Sequence, residues 1–288
     1  MGNDVMVGYH NDNLMNFLTK EEMHKRAPYI FCKGATNPAV SQRYVFASTE
    51  TIIDDMAKLG WGVVECKQQR ANKRSNVRSF HMVVFQNPNV FITKEDENGN
   101  STMDCFPRII LTNSHDGFRS FKFMVGLFRC VCSNGLVIAT ETFADISIKH
   151  INYDFEELRT VVAKAIMSVS DNITVMQEMQ DTQLTEEQKS ELATTALKIR
   201  NGVKDDEKFS VSDEDVEDIL TPVRKEDEGN DLWTVFNVLQ EKVIKGNYLT
   251  VSKTNGKKRK ARAIKGISKD VEINQGLFLA ASAYRNAA

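Results

Sequence analysis

Nowhere in this chain do apolar residues run for the roughly 20 positions that a membrane-spanning helix needs. The first residues, MGNDVMVGYHND, lack the basic and apolar regions of a secretory signal. Met6 stands where a myristoylation signal calls for Ser or Thr, so Met1-Gly2 is not read as a lipid site. There is no phosphate-cradling glycine loop, nucleophile elbow or zinc-protease motif, and no internal repeat. The five cysteines are an odd number in a long chain, which fits a reducing cytosol better than a disulfide framework. None stands in a Cys-x-x-Cys pair. Cys130 and Cys132 alternate about Val131 and so share one strand face. A metal site with Cys66, Cys105 and His150 is the alternative to reading the cysteines as small buried hydrophobes, which is preferred. The expectation is a soluble protein of the cytoplasm, without cofactor or metal and without an evident catalytic set.

What is present is ordinary in amount and uneven in placement. The 288 residues, 41% hydrophobic and 26% charged, suffice for one large domain or two ordinary ones. They are organised around Arg108–Ile138. There the β-forming runs Ile109–Leu111 and Phe121–Cys132 end in Ser114-His115-Asp116-Gly117 and Ser133-Asn134-Gly135. Asp-Gly and Asn-Gly take positive φ at little cost, so both are turns.

Read in order, LTKEEMHKRAPYIF offers a short helix closed by Pro28, and Arg43–Ala47 a short strand. Ser48 or Thr49 caps a helix with Ile52, Ile53, Met56 and Leu59 on one face, stopped by Gly60. Strands follow from Trp61 and across SFHMVVFQN, then in the organising stretch, with Ile146–His150 as a further candidate. From Asp154 the period changes to 3.6. A long stripe from Phe155 to Met176 reads as a helix packed on the sheet, and Thr185 with Gln188 makes a capping box. Asn230 or Asp231 opens a helix ended by Gly246, and a last helix runs from Asp270 to about Tyr284. The class is α+β, an antiparallel sheet core preceded by one helix and followed by a helical C-terminal half. The expected division is a β-rich domain over 1–150 and a helical region over 151–288, with an acidic segment at 204–218 and a basic loop at 253–269.

Two cationic clusters carry the functional reading. In the loop, Lys257, Lys258, Arg259, Lys260 and Arg262 belong to a run of eight cations from Lys253 to Lys269 with no acid between them. In the first hairpin, Lys67, Arg70, Lys73, Arg74 and Arg78 lie in a stretch free of acids between Glu65 and Glu95, flanked by Trp61 and Phe80. Cations neutralise phosphates and aromatics stack bases, which suits single-stranded nucleic acid. The plainer alternatives are a solvated loop and a hairpin edge protected by charge. The expected partners are single-stranded DNA and further copies of the chain. A head-to-tail ring would set the basic loop against a neighbour's acidic segment, with apolar helix faces around Trp233 and Phe236 completing the contact. Pairing of the same segments within one chain is the competing account. A protein acting on host defence through the acidic stretch Asp205–Asp218 is the alternative function. Among catalytic candidates only His115 and Asp116 form a pair, and in a Ser-His-Asp-Gly turn they more readily bond local backbone.

Leu111-Thr112-Asn113-Ser114-His115-Asp116-Gly117 and the run from Gly126 to Leu136 resemble the central signature of the phage/plasmid-like proteins that carry domain of unknown function 932, among them the YfjQ/YafZ-type proteins. The resemblance continues in Asn230–Thr234, Ile244–Gly246, Arg262–Ile267, Ile273-Asn274 and Leu277. It implies a mobile-element context, with no settled activity to carry over. The element order, with a helix ending in Gly60-Trp61 before a run of strands, also resembles the core of Rad52-type single-strand annealing proteins, which implies rings that hold single-stranded DNA.

Overall fold

The computed structural model describes the chain except residues 1–3, 8–15, 39, 41–43, 70–78, 96–100, 120, 130–134, 138–153, 204–208, 210, 252–257 and 286–288. The predicted strand at Ile146–His150 lies outside the described residues. The chain forms two compact units, Met1–Asp171 and Asn172–Ala288.

In the first unit, Thr19 and Glu22 form a capping box that starts α1 (Lys20–Arg26). The Ser48 side chain caps α2 (Thr49–Lys58), and Ile52, Ile53 and Met56 turn inward from it. Gly60 (φ 83°) then reverses the chain. The sheet contains β1 (Asp4–Val7), β2 (Gly62–Gln68), β3 (His81–Gln86), β4 (Val90–Glu95), β5 (Ser101–Asn113), β6 (Lys122–Arg129) and β7 (Gly135–Val137), and every pairing is antiparallel.

β5 is its spine. β6 runs along one edge of β5, with Cys105 opposite Arg129 and Thr112 opposite Lys122. The other edge is shared by β3 and β4, which behave as one interrupted strand. Gln86 faces Arg108 and Ile92 faces Cys105, so one side advances six residues while the other advances three. Asn87-Pro88-Asn89 takes up the excess, and Pro88 has no N–H to offer the ladder. Every residue of β3 is buried, as a central strand covered on both faces requires. Phe85, Ile92, Ile109, Ile110, Leu111 and Phe121 form the centre of the core. Burying each such side chain contributes about 2 kcal/mol.

Tyr44–Ala47, expected as a strand, is irregular. It belongs to a strap across one end of the sheet, where Phe46 packs against His115 (ring centroids 4.8 Å apart) and Thr36 N–H donates to the His115 carbonyl (2.6 Å). Ring packing and a backbone bond to a turn leave this stretch no strand partner.

α3 (Phe155–Asp181) buries Leu158, Val162 and Ala165 in its first half, and Ile173, Met176 and Met179 in its second. Met167 of the same helix is 75% exposed. In the second unit, α4 (Glu186–Asn201) opens on the Thr185–Gln188 capping box and ends at Gly202, whose φ of 64° suits a C-cap. The acidic segment contains a helix, α5 (Asp213–Leu220), capped by Ser212. Asp213, Glu214 and Asp215 fill its first turn, where carboxylates favour the helix dipole.

Asp231 caps α6 (Leu232–Lys245), the most deeply buried helix. Trp233 stacks near Phe236, and Phe236 meets Phe278 of α7 (Ile267–Ser282) edge-on at 6.2 Å. Gln240 donates to Asn274 (2.7 Å) beneath them. Trp233 and Phe236 are thus core residues, 4% and 0% exposed, not the apolar surface expected to join copies. The cause is α7, which covers that face within the unit. A two-stranded ribbon, β8 (Leu249–Val251) with β9 (Lys258–Lys260), completes the unit.

Candidate functional site

One end of the first unit's sheet gathers the polar chemistry. β2 finishes at Gln68, opposite His81 at the start of β3, which in turn faces Asn113 at the close of β5. Lys122 opens β6 opposite Thr112. Residues 69–80 and 114–121 connect strands at this end.

Beneath them lies a buried network. The His81 Nδ1 donates to the Ser79 carbonyl (2.6 Å), so the neutral ring presents Nε2 as an acceptor. The Thr49 hydroxyl donates to it at 2.8 Å. Thr49 Oγ1 then accepts from Asn113 Nδ2 (2.9 Å). Asn113 also donates to the Ala47 carbonyl (3.2 Å) and accepts from Ser114 N–H (2.7 Å). His115 Nε2 lies 3.5 Å from Thr49 Oγ1, and its ring packs on His81 with centroids 4.9 Å apart. Ser79 Oγ accepts the His115 N–H (2.8 Å). Burial drives the His81 imidazole down to about 4, against opposition from the Ser79 carbonyl and the Asp116 charge.

Asp116 finishes the turn. Its Oδ1 accepts from Ser114 Oγ and from Phe118 N–H (3.1 Å), while Oδ2, buried, has no hydrogen-bond partner. Burial first, and the Asp116 charge second, push the Tyr44 phenol up. His115 and Asp116, weighed as an acid–base pair, therefore do different things. One packs in the network, and the other fixes the loop that carries Phe118 and Arg119.

That loop is the exposed part. Gly117 (φ 78°) sits where an added Cβ would come 2.9 Å from Val40, so the turn needs glycine. Phe118 beyond it is 58% exposed. The Arg119 guanidinium lies 4.4 Å from the Phe80 ring centroid. Phe80 O accepts from Gln69 N–H (2.8 Å), the bond that closes the root of the basic connection. Arg119 thus stands at that root, and Lys122 is exposed beside it. Of the predicted cluster, Lys67 is partly exposed and pairs with Glu65 (2.8 Å). Arg70, Lys73, Arg74 and Arg78 lie outside the described residues. The aromatics expected to stack bases, Trp61 and Phe80, are 3% and 5% exposed. They are core residues: Trp61 lies between α2 and β2, and Arg119 lies over the Phe80 ring.

The second cluster is divided. Side chains alternate along a strand, so Lys258 and Lys260 share one face of β9 and Arg259 takes the other. Lys258 pairs with Glu214, and Lys260 lines a hollow with Glu214, Glu217 and Asp218. Asp218 also accepts from Leu249 N–H (2.6 Å) and faces Lys242 (3.7 Å). Pairing of basic and acidic segments therefore occurs within one chain. Arg259 and Arg262 are exposed, and Lys257 lies outside the described residues. A cleft of about 1110 Å³ beside α4 and α5 is lined by six carboxylates against Lys189 and Lys198. Cys66 and Cys105 are buried, and burial pushes the Cys66 thiol up to about 11, away from ligand or nucleophile chemistry. Among the described residues no group of His, Cys, Asp and Glu has the placement of a metal site, and no helix is long and apolar enough to cross a membrane.

The family model described as "Domain of unknown function (DUF932)" matches residues 38–275. The chain belongs to the DUF932 family. Over 268 residues it is 31% identical to UPF0380 protein YafZ of Escherichia coli (strain K12), covering 92% of this chain and 91% of that one. Over 266 residues it is 30% identical to UPF0380 protein YfjQ of the same organism, covering 92% and 90%. No solved structure matches, and the resemblance to Rad52-type annealing proteins is not shown. Several residues on which the family resemblance rests occupy positions where the backbone is fixed. Asn113–Gly117 hold the network and its turn, Asp231 caps α6, Gly246 ends it, and Asn274 receives Gln240 in the core.

The network role of Thr49, Ser79, His81 and Asn113 is not legible in the sequence, because the bonds that join them across the fold span 32 or more residues. Sequence reasoning also passed over Phe118, Arg119 and Lys122. The available signal was an aromatic and a cation directly after the Asp-Gly turn.

Proposed function

We propose that this protein binds single-stranded nucleic acid, DNA foremost, as part of recombination or replication on mobile elements. The observation that carries the reading is the Gln69–Phe80 bond, which roots the basic connection of residues 70–78 next to Arg119 and Lys122. Lys67 lies on β2 just before that connection, whose sequence carries Arg70, Lys73, Arg74 and Arg78, the phosphate contacts of this proposal. Cations so grouped bind phosphates without reading sequence, and each contact releases counterions. Nearby Glu50 adds little opposition, since Lys20 and Lys33 both contact it. Arg259 and Arg262 of the second unit supply a smaller contact, reduced by the carboxylates of α5.

A fluorescence-anisotropy titration with a labelled oligo(dT) at two salt concentrations tests the proposal. Binding at low salt that weakens as salt rises supports it. Binding that is absent at low salt, or indifferent to salt, contradicts it.

A further inference from the structure

We infer that Phe118 is a base-stacking residue, the aromatic element of the cationic sheet end. The inference rests on the nucleic-acid reading and adds contact with the bases to contact with the phosphates. Three observations carry it.

Phe118 is a large apolar side chain left 58% exposed in the same unit where Phe80, Phe85, Phe121 and Phe123 are all buried. Its position is also built. Asp116 Oδ1 holds the Phe118 N–H at 3.1 Å, Gly117 supplies the positive φ, and the Asn113–Thr49–His81 network fixes the strand from which the turn leaves. A ring held out on an over-determined turn loses little freedom when it binds, which is what a stacking platform needs. Its neighbours are the right ones as well. Arg119 follows it at the root of the basic connection, and Lys122 opens β6 a few residues on. A strand tracking these cations by its phosphates brings bases past the Phe118 ring. The ring has no donor or acceptor, so the contact is indifferent to base identity.

The test compares labelled oligo(dT) with an oligomer of the same length made of abasic deoxyribose-phosphate, which keeps the charges and lacks the bases. Four proteins are titrated at low salt: wild type, Phe118→Ala, Phe118→Leu and Phe118→Trp. The expected result is that wild type and Phe118→Trp bind oligo(dT) about tenfold more tightly than the abasic strand. Phe118→Ala and Phe118→Leu should bind both strands with the weaker affinity, and the leucine variant separates stacking from mere apolar bulk. Wild type binding both strands equally overturns the stacking role and leaves the phosphate reading standing. A tenfold preference that survives in Phe118→Ala assigns stacking elsewhere and also overturns it. Wild type binding neither strand removes the nucleic-acid reading itself, and this inference with it.

Discussion

The Thr49 hydroxyl on the first turn of α2 donates to His81 Nε2 at the head of β3 across 2.8 Å. The same oxygen accepts from Asn113 at the end of β5. One side chain thus ties a helix start to two strands at the sheet end where the basic connection is rooted. Thr49→Val keeps the shape and removes both bonds, leaving a buried imidazole nitrogen and an amide unsatisfied. It should cost about 2 kcal/mol in urea unfolding, whereas Thr49→Ser should cost less than half as much.

His81 makes stability depend on pH. Its folded pKa, about 4, lies below the ordinary value of 6.5, so between those limits the unfolded chain binds the proton and the folded chain does not. Stability should fall as pH drops through that window, by on the order of 3 kcal/mol from this group alone. In His81→Gln the slope of unfolding free energy against pH between 6.5 and 4 should flatten. An unchanged slope would assign the effect to other groups.

Asp116 separates two roles in one carboxylate. Asp116→Asn retains an oxygen to accept from Phe118 N–H and Ser114, and it removes a buried charge one of whose oxygens has no hydrogen-bond partner. Its melting temperature should stay within a few degrees of wild type. Asp116→Ala loses both bonds and should be destabilised by about 2 kcal/mol. If the asparagine variant is as damaged as the alanine variant, the charge itself matters and this account of the turn is wrong.

These contacts show where sequence reading stops. The capping residues Ser48, Thr185 and Asp231 and the stop at Gly246 were legible because each acts within four residues of itself. The Thr49–His81–Asn113 relay was not, because register over more than 30 residues brings it together. α5 lies inside the acidic segment, where its helix signal, Ser212 with Asp215, is one carboxylate pattern among many. The basic loop was read as a single cluster, and strand alternation in β9 divides it between two faces.

Gly246 tests the second unit. Its φ is 78°, and an added Cβ would meet the Ala261 carbonyl oxygen at 2.4 Å, a backbone atom that cannot swing aside. Gly246→Ala should cost 2 kcal/mol or more, roughly the sum of left-handed strain and the clash. Thermal unfolding followed by circular dichroism would read it.

The central claim is that the sheet end of the first unit supplies most of the phosphate contacts. Its most direct test is the slope of log affinity against log salt for oligo(dT), measured on wild type, on Arg70→Ala/Lys73→Ala/Arg74→Ala/Arg78→Ala, and on Arg259→Ala/Arg262→Ala. Each lost single-strand phosphate contact should reduce the slope by about 0.7. The account predicts a loss of about 2 to 3 in the fourfold variant and of about 1 or less in the double variant. Equal slopes in wild type and the fourfold variant, or the larger loss in the double variant, would contradict it.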